Sequence, residues 1–369
     1  MNEEEKKKNE KEMNKKILNK LKIFFPNDIN IYEKYTWKII HRNENRFVYE
    51  GTTKINNKNK NNYLVFKEKI IDSESFNETL KELYFLILLK KEKYFVNIID
   101  NKYIVDGENY KRLMLKFEGG YVNLRQLYDY EYPSAQKMKE IIYQISFGLY
   151  ILHFNNIIHN DIKPANILID EDYKIKIADF GSAIYKNINN INDISCSYTR
   201  AYAPPEFLNG NDRDQKSDMW SLGVMIVEIC LETQLFNNKD NESQILESIL
   251  SKFGINKESL NKEEINNLIY NDNDTHKFNI DEFKSKIKDI QKIDDDLIDL
   301  IGHLFVLNPN KRFTAKEVLM SKYLKNYPGN DSFVLSKMET PMDYKLLIEE
   351  MVEADFEENL QNLIKISYN

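Results

Sequence analysis

The stretch "IIHNDIKPANILID", residues 157–170, sets Asp161, Lys163 and Asn166 inside an otherwise apolar run. The apolar flanks read as buried segments, and the polar trio reads as the turn between them. A carboxylate two residues before an ammonium and five before an amide, on a loop leading into the strand "NILI", can serve one reacting centre. Phosphoryl transfer uses such a set: a carboxylate beside the attacking hydroxyl, a cation on the moving phosphoryl group and an amide oxygen on a metal ion. An Asx-type turn accounts for the same letters without any chemistry.

Eighteen residues beyond Asp161 stands "IKIADFGSA", a strand ending in Asp179-Phe180-Gly181. A carboxylate at a strand end, followed by glycine, can approach a bound Mg²⁺ whose octahedron is completed by water and phosphate oxygens. A strand-to-turn Asp-x-Gly is common, but beside the first motif the chemical reading gains weight.

Outward from these motifs the chain changes character at Gly120. Before it, "YTWKII", "RFVYEGTT", "YLVFKEKII", "NIIDNKYIV" and "YKRLMLKFEGG" are rich in β-branched and aromatic residues and predict five strands. "NNKNKNN" predicts a hairpin loop, and "SFNETLKELYFLILLKK", residues 75–91, predicts the one helix among these strands. After Gly120, "MKEIIYQISFGLYILHF" and "DMWSLGVMIVEICLE" are apolar around their whole circumference and predict buried helices. The expected organisation is a charged extension with a short amphipathic helix (1–31), a sheet lobe (32–118), a helical lobe (119–327) carrying a polar insertion near 237–296, and an amphipathic helical tail (328–369). In the extension, residues 1–12 are expected to be solvated. The helix should start at Met13, with Ile17, Leu18, Leu21, Phe24 and Phe25 on its apolar face, and stop at Pro26. Both terminal amphipathic helices are candidate seats for a regulatory partner, and packing on the protein itself is the plainer reading.

With 369 residues and 42% hydrophobic content, two units with real cores are expected. The 52 basic and 59 acidic residues are mixed along the chain, so no basic block predicts nucleic-acid binding. Cys196 and Cys230 have no paired spacing, which predicts ordinary reduced thiols rather than a disulfide or a zinc site. The N-terminus "MNEEEKKKNEKEMNKK" lacks the apolar core of a signal peptide, the longest apolar runs, such as "LYFLILL", are too short to cross a bilayer, and Asn2 excludes N-myristoylation. A cytoplasmic or nuclear protein is expected.

From about Tyr35 to Tyr327 the chain resembles the eukaryotic protein kinase family. "HNDIKPANIL" is similar to the catalytic loop, "DFG" to the metal-binding turn, "TRAYAPPEF" to the end of the activation segment, and "DMWSLGV" to the buried helix whose Asp218 supports the loop. "NPNKRFTAKEVL" supplies Arg312, which the resemblance pairs with Glu206. The implied fold is α+β and bilobal, a five-stranded antiparallel sheet plus one helix followed by a mainly helical lobe. The implied cofactors are ATP and Mg²⁺, and the implied substrate is a protein Ser/Thr hydroxyl. The resemblance makes Asp161 the catalytic base, Lys163 a phosphate contact, and Asn166 and Asp179 metal ligands. "LVFK" puts Lys67 on the α- and β-phosphates, with Glu82 preferred to Glu78 as its partner because Leu86 and Leu89 then face inward. Ile40 and Val48 would lie above the adenine and Leu168 below it. Phe117 would be the gatekeeper, while Glu118 and Gly120 would offer backbone groups to the base. "DIKPAN" and Thr199 are similar to Ser/Thr kinases, and "TRxYxxPE" leans toward the group holding cyclin-dependent, MAP and dual-specificity kinases, although Ala203 stands where that group has Arg.

Two departures matter. Between Ile40 and Val48 the family has a glycine-rich loop, where backbone N–H groups approach phosphates unhindered by a Cβ. This chain reads "HRNENRF", with Asn43 and Asn45 as the residues most tolerant of left-handed backbone and Arg42 and Arg46 as charges for phosphate. Asn160 replaces the Arg that commonly pairs with a phosphorylated activation segment, and it has no charge for that task. The missing glycines keep a non-catalytic kinase-fold scaffold as the alternative. "HND" followed by Asn five residues after the Asp also fits small-molecule kinases of the choline type, which lack Lys163-Pro164 and the Glu206 to Arg312 apparatus.

Overall fold

The computed structural model describes residues 3–54, 61–71, 76–90, 92–106, 110–128, 130–186, 198–257, 260–271, 278–279 and 294–328. It divides into two compact units between Tyr121 and Val122.

In the first unit, Thr36–Arg42 (β1), Arg46–Lys54 (β2), Asn61–Ile71 (β3), Ile98–Asp106 (β4) and Tyr110–Glu118 (β5) form one antiparallel sheet in the order β1-β2-β3-β5-β4. The period-2 alternation of β3 sorts its side chains between two faces. Phe66 and Glu68 go to one, with Tyr49 and Met114; Lys67 and Lys69 go to the other, where helix Phe76–Leu88 supplies Glu82.

The N-terminal helix, Glu3–Phe24, covers the first of these faces. Ile17, Leu21, Phe24 and Phe25 are buried in one cluster with Tyr32, Tyr35, Trp37, Tyr49, Phe66 and Met114. Each fully buried apolar side chain of this size contributes roughly 1.5–3 kcal/mol. A polar network reinforces the contact: Lys20 Nζ lies 2.7 Å from the Glu68 carboxylate, which also accepts from Tyr49 Oη and lies 3.5 Å from Arg112. Asn14 Oδ1 accepts the Trp37 N–H at 2.7 Å, giving edge strand β1 a side-chain partner. Gly51 is required by this packing, since a Cβ there would stand 2.6 Å from the Trp37 ring. The helix begins at Glu3 rather than Met13, a correction to the sequence reading. Apolar periodicity does start at Met13, but the preceding Glu and Lys residues are good helix formers and extend the helix into solvent, helped by a Glu12–Lys16 pair at 2.9 Å.

The second unit is mainly helical. Helix Ala135–Phe154 is N-capped by Ser134, and helix Gln215–Leu231 opens on an Asp214–Ser217 capping box; both are buried along most of their length. Among the described residues five short strands accompany them: Val122–Asn123 (β6), Ile157–Ile158 (β7), Ile167–Ile169 (β8), Ile175–Ile177 (β9) and Ile184–Tyr185 (β10), paired as β6-β8-β9 and β7-β10. The polar stretch near 237–296 contributes helices Glu242–Lys252 and Lys262–Asn271, tied to the unit by Asn209 and Asn211 on Asn266 Oδ1 at 2.7 and 2.8 Å and by Asn308 on the Tyr270 carbonyl at 2.7 Å. Cys230 is buried, which pushes its thiol up to about 12, in keeping with an inert thiol. Cys196, the "NNKNKNN" loop tip and the C-terminal helix lie outside the described residues. No helix among the described residues is long and apolar enough to cross a membrane.

Candidate active site

In the second unit the opening stretch folds as β7, a loop, a 3₁₀ turn Pro164–Asn166 and β8, so the polar trio sits between two short buried strands. Asp161 is held at both carboxylate oxygens. Oδ1 accepts from Thr199 Oγ1 at 2.7 Å and from the Thr199 N–H at 3.1 Å; Oδ2 accepts from Lys163 Nζ at 2.6 Å and Asn166 Nδ2 at 2.9 Å. Lys163 also reaches Thr199 Oγ1 at 2.6 Å, and Asn166 Nδ2 bonds the Asp161 carbonyl at 2.8 Å. The structure thus gathers Asp161, Lys163 and Thr199 into one closed ring of hydrogen bonds, with Asn166 joined to it through Asp161. A carboxylate fixed in this way is preorganised to accept a proton.

Asp218, fully buried at the start of helix Gln215–Leu231, fixes the loop from beneath. Its Oδ2 accepts the His159 N–H at 2.9 Å and meets His153 Nε2 at 2.9 Å, and its Oδ1 accepts the Asn160 N–H at 2.9 Å. Burial works against its charge, yet the hydrogen bonds and charge of His153, with His159 beside it, bring the carboxyl below its ordinary range. His159 continues the lock: Nε2 donates to the Ala178 carbonyl at 3.2 Å, which leaves Nδ1 to accept the Asp161 N–H at 3.3 Å. Its ring packs on Phe180 at 5.1 Å.

Asn160 acquires a purpose that its sequence position did not disclose. Its backbone is left-handed, with φ of 66°, a region that Asn enters more readily than most residues. Its amide donates to the Ser182 carbonyl at 3.0 Å and fastens the 157–170 stretch to the segment after Asp179 by an uncharged hydrogen bond.

Asn166 and Asp179 stand at adjoining ends of paired strands, since Ile167 faces Ile177 and the Ala178 N–H bonds the Asn166 carbonyl at 2.9 Å. Asn166 spends its amide nitrogen on Asp161, so its amide oxygen is the atom offered to a cation. One amide oxygen and one carboxylate fit Mg²⁺, which takes one or two protein oxygens and completes its shell with water and phosphate. Among the described residues no cluster of three or more His, Cys, Asp or Glu side chains could hold a metal alone.

Farther along, Glu206 and Arg312 form a forked ion pair at 2.8 and 3.0 Å with both residues almost wholly buried. Arg312 also donates to the carbonyls of Lys216 and Val306 at 2.8 and 3.0 Å, so the pair is a structural clamp with its donors satisfied.

In the first unit, Lys67 pairs with Glu82, which is 3% exposed; Leu86 and Leu89 are buried beside it. Glu82 has a second cation, Lys69 Nζ at 2.5 Å from Oε2, which sequence reading passed over because a lysine in a strand usually snorkels to water. Val48 and Val65 flank this face, Val48 directly opposite Lys67, while Ile40 is 47% exposed. Leu168, in β8 of the second unit, is partly buried. Phe117 and Glu118 end β5, and Gly120 follows with φ of 91°, a conformation that favours glycine. The β1–β2 turn departs from expectation. Neither Asn43 nor Asn45 is left-handed; the Asn43 N–H bonds the Arg46 carbonyl at 2.9 Å, and Asn43 Oδ1 accepts the Asn45 N–H at 3.2 Å. An Asx-type bond closes the turn in place of glycine.

A family profile described as the protein kinase domain matches residues 48–324. Mitogen-activated protein kinase HOG1 of Gibberella zeae is 32% identical over 200 residues, 52% of this chain and 52% of that protein. The HOG1 kinase of Candida albicans is 28% identical over 270 residues, 71% of this chain and 67% of its own. Human cyclin-dependent kinase-like 5 is 34% identical over 189 residues, 49% of this chain and 18% of its own. The chain thus spans about half the length of the Gibberella relative and far less of the human one.

Proposed function

Because this chain belongs to the protein kinase family, in the serine/threonine branch with the MAP and cyclin-dependent-kinase-like proteins, we propose that it transfers the γ-phosphate of Mg-ATP to protein Ser/Thr hydroxyls, with Asp161 as base. The observation that carries this reading is the Asp161 carboxylate, gripped at both oxygens by Thr199, Lys163 and Asn166. A carboxylate so placed accepts the proton of an incoming hydroxyl, and Lys163, already at its edge, is the cation for the moving phosphoryl group. Mg-ATP, when bound, supplies the phosphoryl group and the charge that steadies its polyphosphate. Asn166 and Asp179 would hold the metal, and Lys67, oriented by Glu82, would meet the phosphates. Ile40, Val48 and Leu168 would enclose the base, with Glu118 and Gly120 offering it backbone groups.

The test is labelled-phosphate transfer from Mg-ATP to a generic protein substrate. Asp161→Asn is expected to lower turnover by about 10²–10⁴-fold relative to the wild type. Equal background from both proteins would favour the scaffold reading. That reading draws on the β1–β2 turn, whose Asn43 and Asn45 N–H groups are spent within the turn rather than available to phosphate. The small-molecule-kinase reading gives way to the protein-kinase match across residues 48–324.

Asn160 supports a further element of the proposal: activity does not rest on a phosphate docked at that residue, because a hydrogen bond from its side-chain amide to the Ser182 carbonyl already fastens the loop. Phosphatase-treated and untreated enzyme should then turn over at the same rate; a collapse on treatment would contradict it. A regulatory partner at the terminal helices is now a proposal for the C-terminal segment alone, since the apolar face of the N-terminal helix is covered by the sheet.

A further inference from the structure

We infer that Lys69 is a positioning residue for nucleotide: by gripping the second oxygen of Glu82 it fixes the carboxylate that orients Lys67. This rests on the kinase reading above. Glu82 sits between two ammonium groups that alternate down one face of β3, Lys67 on Oε1 and Lys69 at 2.5 Å from Oε2. All three side chains are mostly withdrawn from water, at 12%, 8% and 4% exposure for Lys67, Lys69 and Glu82.

Burying a second ammonium is costly unless something holds it, and Glu82 holds Lys69. A carboxylate held by Lys67 alone loses an anchor whenever Lys67 turns toward an anion, whereas one held also by Lys69 stays in place. The β2–β3 register places Arg46 directly opposite Lys69 and Val48 opposite Lys67, so the basic character of this face continues toward the glycine-less turn. In a chain whose β1–β2 turn spends its own N–H groups internally, the Lys67–Glu82–Lys69 arrangement takes over part of the task of holding phosphate.

The experiment compares wild type, Lys69→Met, Lys69→Arg, Glu82→Gln and the Lys69→Met/Glu82→Gln double variant, by steady-state phosphate transfer and by calorimetric Mg-ATP binding. Lys69→Met is expected to raise KM and Kd for Mg-ATP about tenfold while kcat falls less, and Lys69→Arg should restore most of the loss. In the Glu82→Gln background, adding Lys69→Met should change either constant by less than about twofold. Unchanged nucleotide constants in Lys69→Met, or fully additive effects in the double variant, would overturn the inference. A merely structural role would lower the melting temperature without this coupling and would overturn it too, and the Arg variant covers the case in which Met does not fold. If the wild type binds Mg-ATP without transferring phosphate, the kinase reading fails while the binding arm still decides the role of Lys69. If it binds none, both fail.

Discussion

Asp161 and Glu82 are both buried carboxylates met by lysine, but their surroundings differ in kind. Asp161, and Asp218 beneath it, are held chiefly by backbone N–H groups and short side chains: Thr199, Asn166, His159 and Asn160. Glu82 and Glu68, in the first unit, are held largely by long cations, Lys67 and Lys69 for one and Lys20 and Arg112 for the other. Short donors on fixed backbone define a position within a narrow range. Long ammonium side chains carry several rotatable bonds and can follow a moving anion. Under the proposed kinase function, the contrast suits a reaction in which Asp161 must be preorganised as base while the residues proposed to meet the polyphosphate adjust to it.

The comparison can be broken most forcefully at the second unit's clamp. Glu206→Gln leaves the Arg312 guanidinium buried with a lost counter-charge, and the expected cost is about 3–5 kcal/mol, read as a drop in the urea midpoint. A loss below about 1 kcal/mol would mean that the second unit is less rigidly pinned than its geometry implies.

Asp218→Asn comes next, at about 1–3 kcal/mol, because an amide must turn its NH₂ toward donors that now meet a carboxylate. Its pH signature has a definite sign. The folded carboxyl lies below its ordinary value, so its contribution is complete above the unfolded pKa, near 3.9, and is lost as pH falls through the lower folded value. The wild type should therefore lose stability on acidification more steeply than Asp218→Asn, a difference visible in melting curves taken below about pH 4.

The smallest effects should come from the first unit. Glu68→Gln removes the charge that Lys20 and Arg112 share but keeps an acceptor for Tyr49, for about 1–2 kcal/mol. Lys20→Met should cost about 1 kcal/mol or less, as the lysine is 36% exposed and its ammonium, 4.5 Å from the Phe47 ring centroid, makes a solvent-accessible cation–π contact. Equal losses at Glu68 and Glu206 would erase the distinction between the units.

Fixed spacing made much of this legible beforehand. Asp161, Lys163, Asn166 and Asp179 are close in sequence, so local chain geometry keeps them together, and the five strands and two long buried helices follow from composition and periodicity. The α+β fold of the protein kinase family, a five-stranded antiparallel sheet with its helix followed by a helical unit, is the fold observed. What stayed hidden depends on distance or on a choice between equal local options. The Lys20–Glu68 pair joins residues 48 apart, and Lys69 is indistinguishable in sequence from a solvated strand lysine. The extra turns at the start of the N-terminal helix come from propensity without an apolar stripe, which periodicity cannot register. The β1–β2 turn chose a side-chain bond over a left-handed backbone, and Asn residues permit both.

The N-terminal helix also bears on how this protein can be handled. The match to the protein kinase domain profile begins at residue 48, yet the cover over Trp37, Tyr49 and Phe66 comes from residues 17–25. A recombinant fragment cut at the homology boundary would lose β1 as well as that cover, baring an aromatic sheet face beside a newly unpaired strand edge. Such a fragment should collect in inclusion bodies, and a soluble preparation calls for keeping the chain from its first helix onward.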